Sequence, residues 1–481
     1  QCGATLGSAL RAVAMTDPLF VASAELLRDP NAAAIARPAI IEEKPLRSKD
    51  ALSRLLVSLD LDISSRTGQQ VGAHPSAANF PGAVPMDAVR EQGAIVRVMG
   101  GKQWESTGMY APAGEPVTFE IVGAGEAPSE QLFVQIGCHT DELWHHNAWK
   151  RMPVITKRVA WKPGEAGDTL KFTSQFGGLI YIEKRKQSKA ETLVRIGGAV
   201  QAPYFRLGET SLDAWKLARQ APAPWAELAS DKVIVSVPSS HVRDIEDPAS
   251  LMQFWDAISD AHATLGTIDL MPPRPHRFVA DVQISAGYMH SGYPIMTHLD
   301  AAAFMTSLET LKKGSWGLLH ELGHNHQEGD WTFDGTGEVT CNLFALHAID
   351  TICTPDANDR GHPGVNTPPS LEKHLALGAP FEKWKQDPFL ALHMYVQLEK
   401  AFGWETFKKV FAEYRTLKQS ERPKSDLEKR DQWMVRFSRA CGKNLGPFFE
   451  KWGVPTSESA RASIKDLDAW MPADWPEAKG E

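Results

Sequence analysis

Most of the features that would assign this chain at a glance are missing. No apolar run in its 481 residues approaches the ~20 residues that a membrane-spanning helix needs. Long runs of lysine and arginine are absent and the net charge is −8, which argues against a partner bound by neutralising phosphates, such as nucleic acid. Cysteine is scarce, with five at positions 2, 138, 341, 353 and 441, and no two form a CxxC pair, so a thiolate zinc knuckle is not expected. Cys341 and Cys353 are close enough in sequence to pair, but buried free thiols are the preferred reading, and the odd count leaves at least one thiol over in any case. There is no internal repeat and no low-complexity segment. The chain starts at Gln1 rather than Met, from which we expect a mature or trimmed form that has lost a signal peptide, and a secreted or cell-surface location.

What is present describes a folded protein. Hydrophobic residues make up 43% and charged residues 23% of the chain, and its length calls for two to four domains. Most of the fifteen tryptophans are expected in the core, but carbohydrate-handling clefts also use indole faces, and the excess hints at one. Residues 1–87 are rich in Ala and Leu; "ALRAVAMTDPLFVASAELL" and "SKDALSRLLVSLDLDI" carry apolar residues three and four apart and predict short helices, followed by the Gly/Pro-rich linker "VGAHPSAANFPGAVP". Over 88–200 the texture changes to short runs rich in Val, Ile and Phe, among them "AIVRVMG", "PVTFEIVG", "LFVQIG" and "GLIYIEK", separated by Gly and Pro turns, which predicts a β-sandwich. A long loop, "DELWHHNAWKRMP", interrupts it, and its adjacent His145 and His146 are expected at the surface rather than on a metal. Over 201–481 helical patterns dominate, as in "LMQFWDAISDAHATLG" and "PFLALHMYVQLEKAFGWETFKKVFAEYR", with a few strands such as "DKVIVSVPS" and "HRFVADVQIS". The expected class is therefore α+β and multidomain: a β-sandwich domain packed on a mostly helical domain.

The chemistry is concentrated in "HELGHNHQ". His320 and His324 lie one turn apart on a helix, a spacing at which two imidazoles hold one Zn²⁺, and Glu321 lies beside them as a candidate general base. Leu318, Leu319 and Leu322 supply an opposing apolar face. A metzincin would need Gly and His three and six residues after the second histidine, where this chain has Gln327 and Asp330. Glu328 is a poor third ligand, since on a continuous helix it lies about 12 Å along the axis from His320. Glu338 is better placed: "DWTFDGTG" forms a turn, "EVTCNLFALHAID" predicts a new helix, and Glu338 opens it with Asn342 one turn further on the same face. A helix–loop–helix with two His and one Glu is the gluzincin arrangement. His326 is expected near the site rather than on the metal, and His347 is placed either as a structural residue or within reach of a reaction intermediate.

"HELGHNHQ" followed by Trp331, "GEVTCN" and a helix resembles the enhancin-like, mucin-targeting zinc metallopeptidases. "WESTGMYAPAGEPVTFEI" and "FGGLIYI" resemble that family's β-sandwich, "SAGYMHSGYPIM" its segment upstream of the zinc helix, and "FSRACGKNLGPFFEKWGVP" its C-terminal helices, together covering residues 90–460. The resemblance implies one Zn²⁺ per chain on His320, His324 and Glu338, with Glu321 as base. It also implies extracellular hydrolysis of O-glycosylated, mucin-type glycoproteins next to a glycosylated Ser or Thr. As substrate contacts it suggests Tyr288, His290, Tyr293, Arg360, Asn325 and Trp331. A monomer is expected. The alternatives are a zinc endopeptidase without a glycan requirement, and an inactive glycan-binding homologue, against which the intact Glu321 argues.

Overall fold

A computed structural model describes residues 37–66, 72–100, 104–124, 131–162, 169–184, 191–356 and 359–476. The first of the expected N-terminal helices lies outside the described residues; the second forms α1 (Ala51–Arg66). The described chain divides into two compact units, one of residues up to 252 together with 273–306, the other of residues 253–272 together with 307–481.

The first unit opens with a β-sandwich built from β1 (Ala94–Val98), β2 (Glu105–Ala111), β3 (Pro116–Ala124), β4 (Leu132–Ile136), β5 (Lys157–Trp161), β6 (Thr169–Thr173), β7 (Gly178–Lys184) and β8 (Thr192–Gly197). One antiparallel sheet runs β1-β8-β3-β6; the other runs β2-β7-β4-β5, with the short strand Val200–Gln201 outside β2. Alternation decides the core: Val117, Phe119, Val194 and Ile196 from the first sheet meet Leu132, Val134, Ile136, Ile180 and Ile182 from the second in one buried cluster. The long loop between β4 and β5 is pinned. Arg151, fully buried, donates to Asp281 at 2.7 to 3.0 Å, while His145 and His146 donate from Nε2 to the carbonyl oxygens of Ser285 (2.8 Å) and Ile284 (3.0 Å). These histidines fasten a loop.

The same unit continues into a six-stranded mixed sheet containing β9 (Trp225–Ala229), β10 (Val233–Pro238), β11 (His276–Asp281) and β12 (Ile295–His298), flanked by Tyr204–Arg206 and Met289–His290. Residues 201–252 and 273–306 hold more strands than the two read from the sequence, "DKVIVSVPS" and "HRFVADVQIS", and they cluster with the sandwich. The physical reason is burial. Every residue of β9 is buried, so this strand lacks the alternation that separates a strand from a buried helical segment.

The second unit is helical. It contains most of α2 (Pro248–Gly266), α3 (Trp316–His324), α4 (Gly337–Ile352), α5 (Pro388–Arg415) and α6 (Asp426–Cys441). Gly403 breaks α5 with φ 69°, ψ 167°, and Gly442 caps α6 in the left-handed region, dividing what reads in sequence as one C-terminal helix from a separate turn at Gly446–Lys451. The tryptophans serve mainly as filler: Trp331, Trp384, Trp433 and Trp452 all sit in this unit's core.

Candidate metal centre

α3 and α4 build the site. α3 turns Leu318, Leu319 and Leu322 into the core and leaves His320 and His324 on the other face. α4 is buried from Val339 to Ile349, so its course is fixed by packing on all sides, and Glu338 stands in its first turn. The helices touch where Gly323 meets Cys341: a Cβ on Gly323 would lie 2.3 Å from the Cys341 carbonyl oxygen. Only a glycine permits that approach, and it brings the two histidines within reach of Glu338.

The donors converge. His320 Nε2 and His324 Nε2 are 3.1 Å apart, and Glu338 Oε2 lies 3.1 Å from the first and 3.3 Å from the second. Donors about 2.0 Å from a tetrahedral zinc stand ~3.3 Å from one another, so the three side chains fit that ion without rearrangement. Asn342 orients the set. Its Oδ1 accepts from His320 Nδ1 at 2.6 Å, which leaves the Nε2 lone pair facing the cluster, and its Nδ2 donates to the Glu338 carbonyl oxygen at 2.7 Å. Burial pushes the histidine pKa values down, but hydrogen bonds with Cys341 and Glu338 outweigh it, and His320 is raised to about 11 and His324 to about 9. The same two histidines hold the Glu338 carboxyl well below the usual range. Glu321, next to His320, is buried.

Cys341 was missed as a site residue. One donor atom each from His320, His324, Glu338 and Cys341 lie within 4.8 Å of one another, and Cys341 Sγ is 3.6 Å from His320 Nδ1. The signal was present in the sequence as Glu338-x-x-Cys341, one helical turn. Cys341 and Cys353 are both free thiols, in keeping with the preferred reading over a disulfide.

Of the other sequence candidates, Glu328 pairs with Arg415 and takes no part in the cluster. His326 is buried, its Nδ1 donating to the Leu322 carbonyl oxygen at 2.8 Å. His347 is buried edge-on to Trp404, and burial pushes it down to about 4. Asn325 is exposed at the end of α3. Trp331 is a correction: it is wholly buried, 4.6 Å from Phe411 between ring centroids, with no face to offer a substrate. Arg360 commits its guanidinium to Asp350 and Glu399. Tyr288, His290 and Tyr293 belong to the first unit. Tyr288 is half exposed and stacked on His298; Tyr293 carries Arg274 over its ring at 3.9 Å; His290 bonds Asp141 at 2.8 Å.

An H-E-x-x-H helix followed by a helix that delivers a glutamate to both histidines defines a metallopeptidase type of site. The chain belongs to the peptidase M60, enhancin and enhancin-like family, whose model matches residues 198–453, while residues 90–196 match the N-terminal domain of M60-like peptidases. It is 37% identical over 447 residues to TRPM8 channel-associated factor 2 of Bos taurus, covering 90% of this chain and 47% of that protein, so the chain spans about half the length of this curated relative. Among solved structures it is similar to a functionally unknown conserved protein from Bacillus anthracis (24% identity, TM-score 0.62, 79% of this chain and 80% of that chain). It is also similar to IMPa from Pseudomonas aeruginosa in complex with an O-glycopeptide (16% identity, TM-score 0.58, 87% of this chain and 59% of that chain). At these identities the structural likenesses establish the fold.

Proposed function

We propose that this chain is a zinc endopeptidase that hydrolyses the backbone of O-glycosylated, mucin-type glycoproteins next to a glycosylated Ser or Thr, acting outside the cell or at its surface. The observation that carries the reading is the convergence of His320, His324 and Glu338 at tetrahedral spacing, with a buried Glu321 beside His320. Zinc, when bound, supplies a Lewis acid that polarises the scissile carbonyl and acidifies water. Glu321 takes the proton of the attacking water and later delivers it to the leaving amine. The glycan requirement draws support from family membership and from the fold shared with IMPa, a structure of which holds an O-glycopeptide. The test is digestion of one mucin-like peptide with and without its O-glycans, each with and without chelator. Chelator-sensitive cleavage of the glycosylated form alone is expected; equal cleavage of both would leave a general zinc endopeptidase.

A second reading is favoured by the name of the curated relative: a channel-associated accessory protein that keeps the peptidase fold without turnover. It predicts no cleavage of either peptide by the fully zinc-loaded chain.

A further inference from the structure

We infer that a cleft in the first unit, none of whose lining residues belongs to the metal centre, is a binding site for a short neutral oligosaccharide. A sugar held there requires nothing of the metal, so the cleft and the proposed hydrolysis can fail independently.

The cleft has a volume of about 630 Å³, within the ~300–1,000 Å³ usual for small-molecule sites. Its wall is held by a buried ion pair. Arg277 on β11 and Glu227 on β9 are both buried and paired with each other. Such a pair stabilises a fold little, because desolvation offsets the attraction. Here it fixes two residues of the cleft. Arg277 Nη2 donates to the Trp104 carbonyl oxygen at 2.9 Å and to Ser106 Oγ at 3.1 Å. Trp104 stands at φ 52°, a left-handed conformation that a bulky residue keeps only where its surroundings impose it. A strained backbone pinned by a buried guanidinium at the wall of a cavity marks a preorganised site.

The lining selects the ligand. Arg97 and Arg206 bring two positive charges and Glu105 and Glu209 two negative ones, so a phosphate or polyanion meets no excess of cations. Arg206 is held in place: Nε donates to Glu209 at 2.7 Å and Nη2 to Asp231 at 2.6 Å, which does not exhaust the five donors of a guanidinium. Apolar groups stand among these polar ones, with Ile95 and Met99 exposed and Ile234 beside them. The matching ligand is uncharged, donates and accepts hydrogen bonds at once, and carries apolar faces at short intervals. A sugar ring meets all three conditions, since each hydroxyl both donates and accepts and the C–H faces rest on apolar side chains. A peptide strand laid along the edge of β1 fits less well. The Glu105 carboxylate already accepts from the main-chain N–H groups of Met99 and Gly100 at 3.0 and 3.1 Å, which closes that end of the edge.

The experiment is retention of the labelled full chain, with and without chelator, on a printed array of neutral, sialylated and sulfated glycans and of unglycosylated peptides. Neutral glycans should be retained under both conditions. Titration with the neutral glycan retained most should show about tenfold weaker binding for Arg206→Ala, which loses a charged donor, and at least as large a loss for Ile95→Glu. Leu377→Glu, on the second unit, should bind as the native chain does. Ile95 and Leu377 are 59% and 71% exposed, so neither substitution disturbs a core. Retention of no glycan, or of sialylated or sulfated glycans only, overturns the assignment. Retention of unglycosylated peptides in place of glycans also overturns it and gives the cleft to a peptide. Neutral-glycan binding that Arg206→Ala and Ile95→Glu both leave unchanged places the sugar elsewhere and overturns it as well.

Discussion

Glu321 is the residue whose removal should separate metal binding from turnover. It is buried beside the candidate donors and is not among the four that converge. Glu321→Gln keeps the volume and removes the base, so zinc per chain should stay at the native value while turnover of a glycopeptide falls by about 10²–10⁴-fold or more. Loss of zinc from this variant would place Glu321 among the ligands instead. The histidines make a prediction about pH. With pKa values raised to about 11 and about 9, both carry protons at neutral pH when no metal is present, and a metal must displace them. Apparent zinc affinity, measured by competition with a chromophoric chelator, should therefore rise as pH is raised from 6 toward 9. For the metal-free fold the sign is opposite. Both values lie above the ordinary 6.5, so their contribution to stability is full below that pH and is lost as pH rises through about 9 to 11.

Among the elements, the crossing of α3 and α4 is the critical contact. Gly323→Ala should gain the ~1 kcal/mol of helix propensity that glycine forfeits. The new Cβ, however, would lie 2.3 Å from the Cys341 carbonyl oxygen, and relieving such overpacking costs about 1–3 kcal/mol. The clash should win, giving lower stability in denaturant titration and weaker zinc binding, because the helices part at the site. A variant as stable as the native protein with unchanged zinc affinity would show that the contact relaxes freely. In the other unit, the loop between β4 and β5 depends on Arg151. Burial raises the Asp281 carboxyl, and Arg151 offsets that only in part, so Arg151→Ala leaves a carboxyl group buried without its cation. Breaking such a pair costs about 3–5 kcal/mol. The expected result is a lower unfolding midpoint and new proteolytic cleavage within residues 140–150.

Across the whole molecule, the candidate metal cluster lies in one unit, so removal of a metal bound there should be felt in that unit first. A ligand that binds only the folded state stabilises it by about 2.7 kcal/mol when present at 100 times its Kd. Chelation should thus raise amide hydrogen exchange in α3 and α4, where all four members of the candidate cluster reside, and leave the sandwich strands β3, β4, β7 and β8 at their native protection. Uniform loss of protection over both units would show that the fold unravels as one piece.

The sequence by itself determined the local parts. His320 and His324 one turn apart, the turn before Glu338, and Asn342 a turn beyond it were all legible, because a helix places residues three and four apart on one face whatever surrounds it. The sandwich strands were legible because short runs rich in Val, Ile and Phe stand between Gly and Pro turns. Only the tertiary structure decided the rest. Strands buried on both sides, such as β9, leave no alternation to read. Trp331 and Arg360 look like substrate contacts in a string of letters, but whether an indole is buried or a guanidinium is already paired depends on residues 80 and 39 positions away, Phe411 and Glu399. Cys341 stands between the two cases: its turn spacing from Glu338 was legible, but its nearness to His320 is set by how closely Gly323 lets two helices approach.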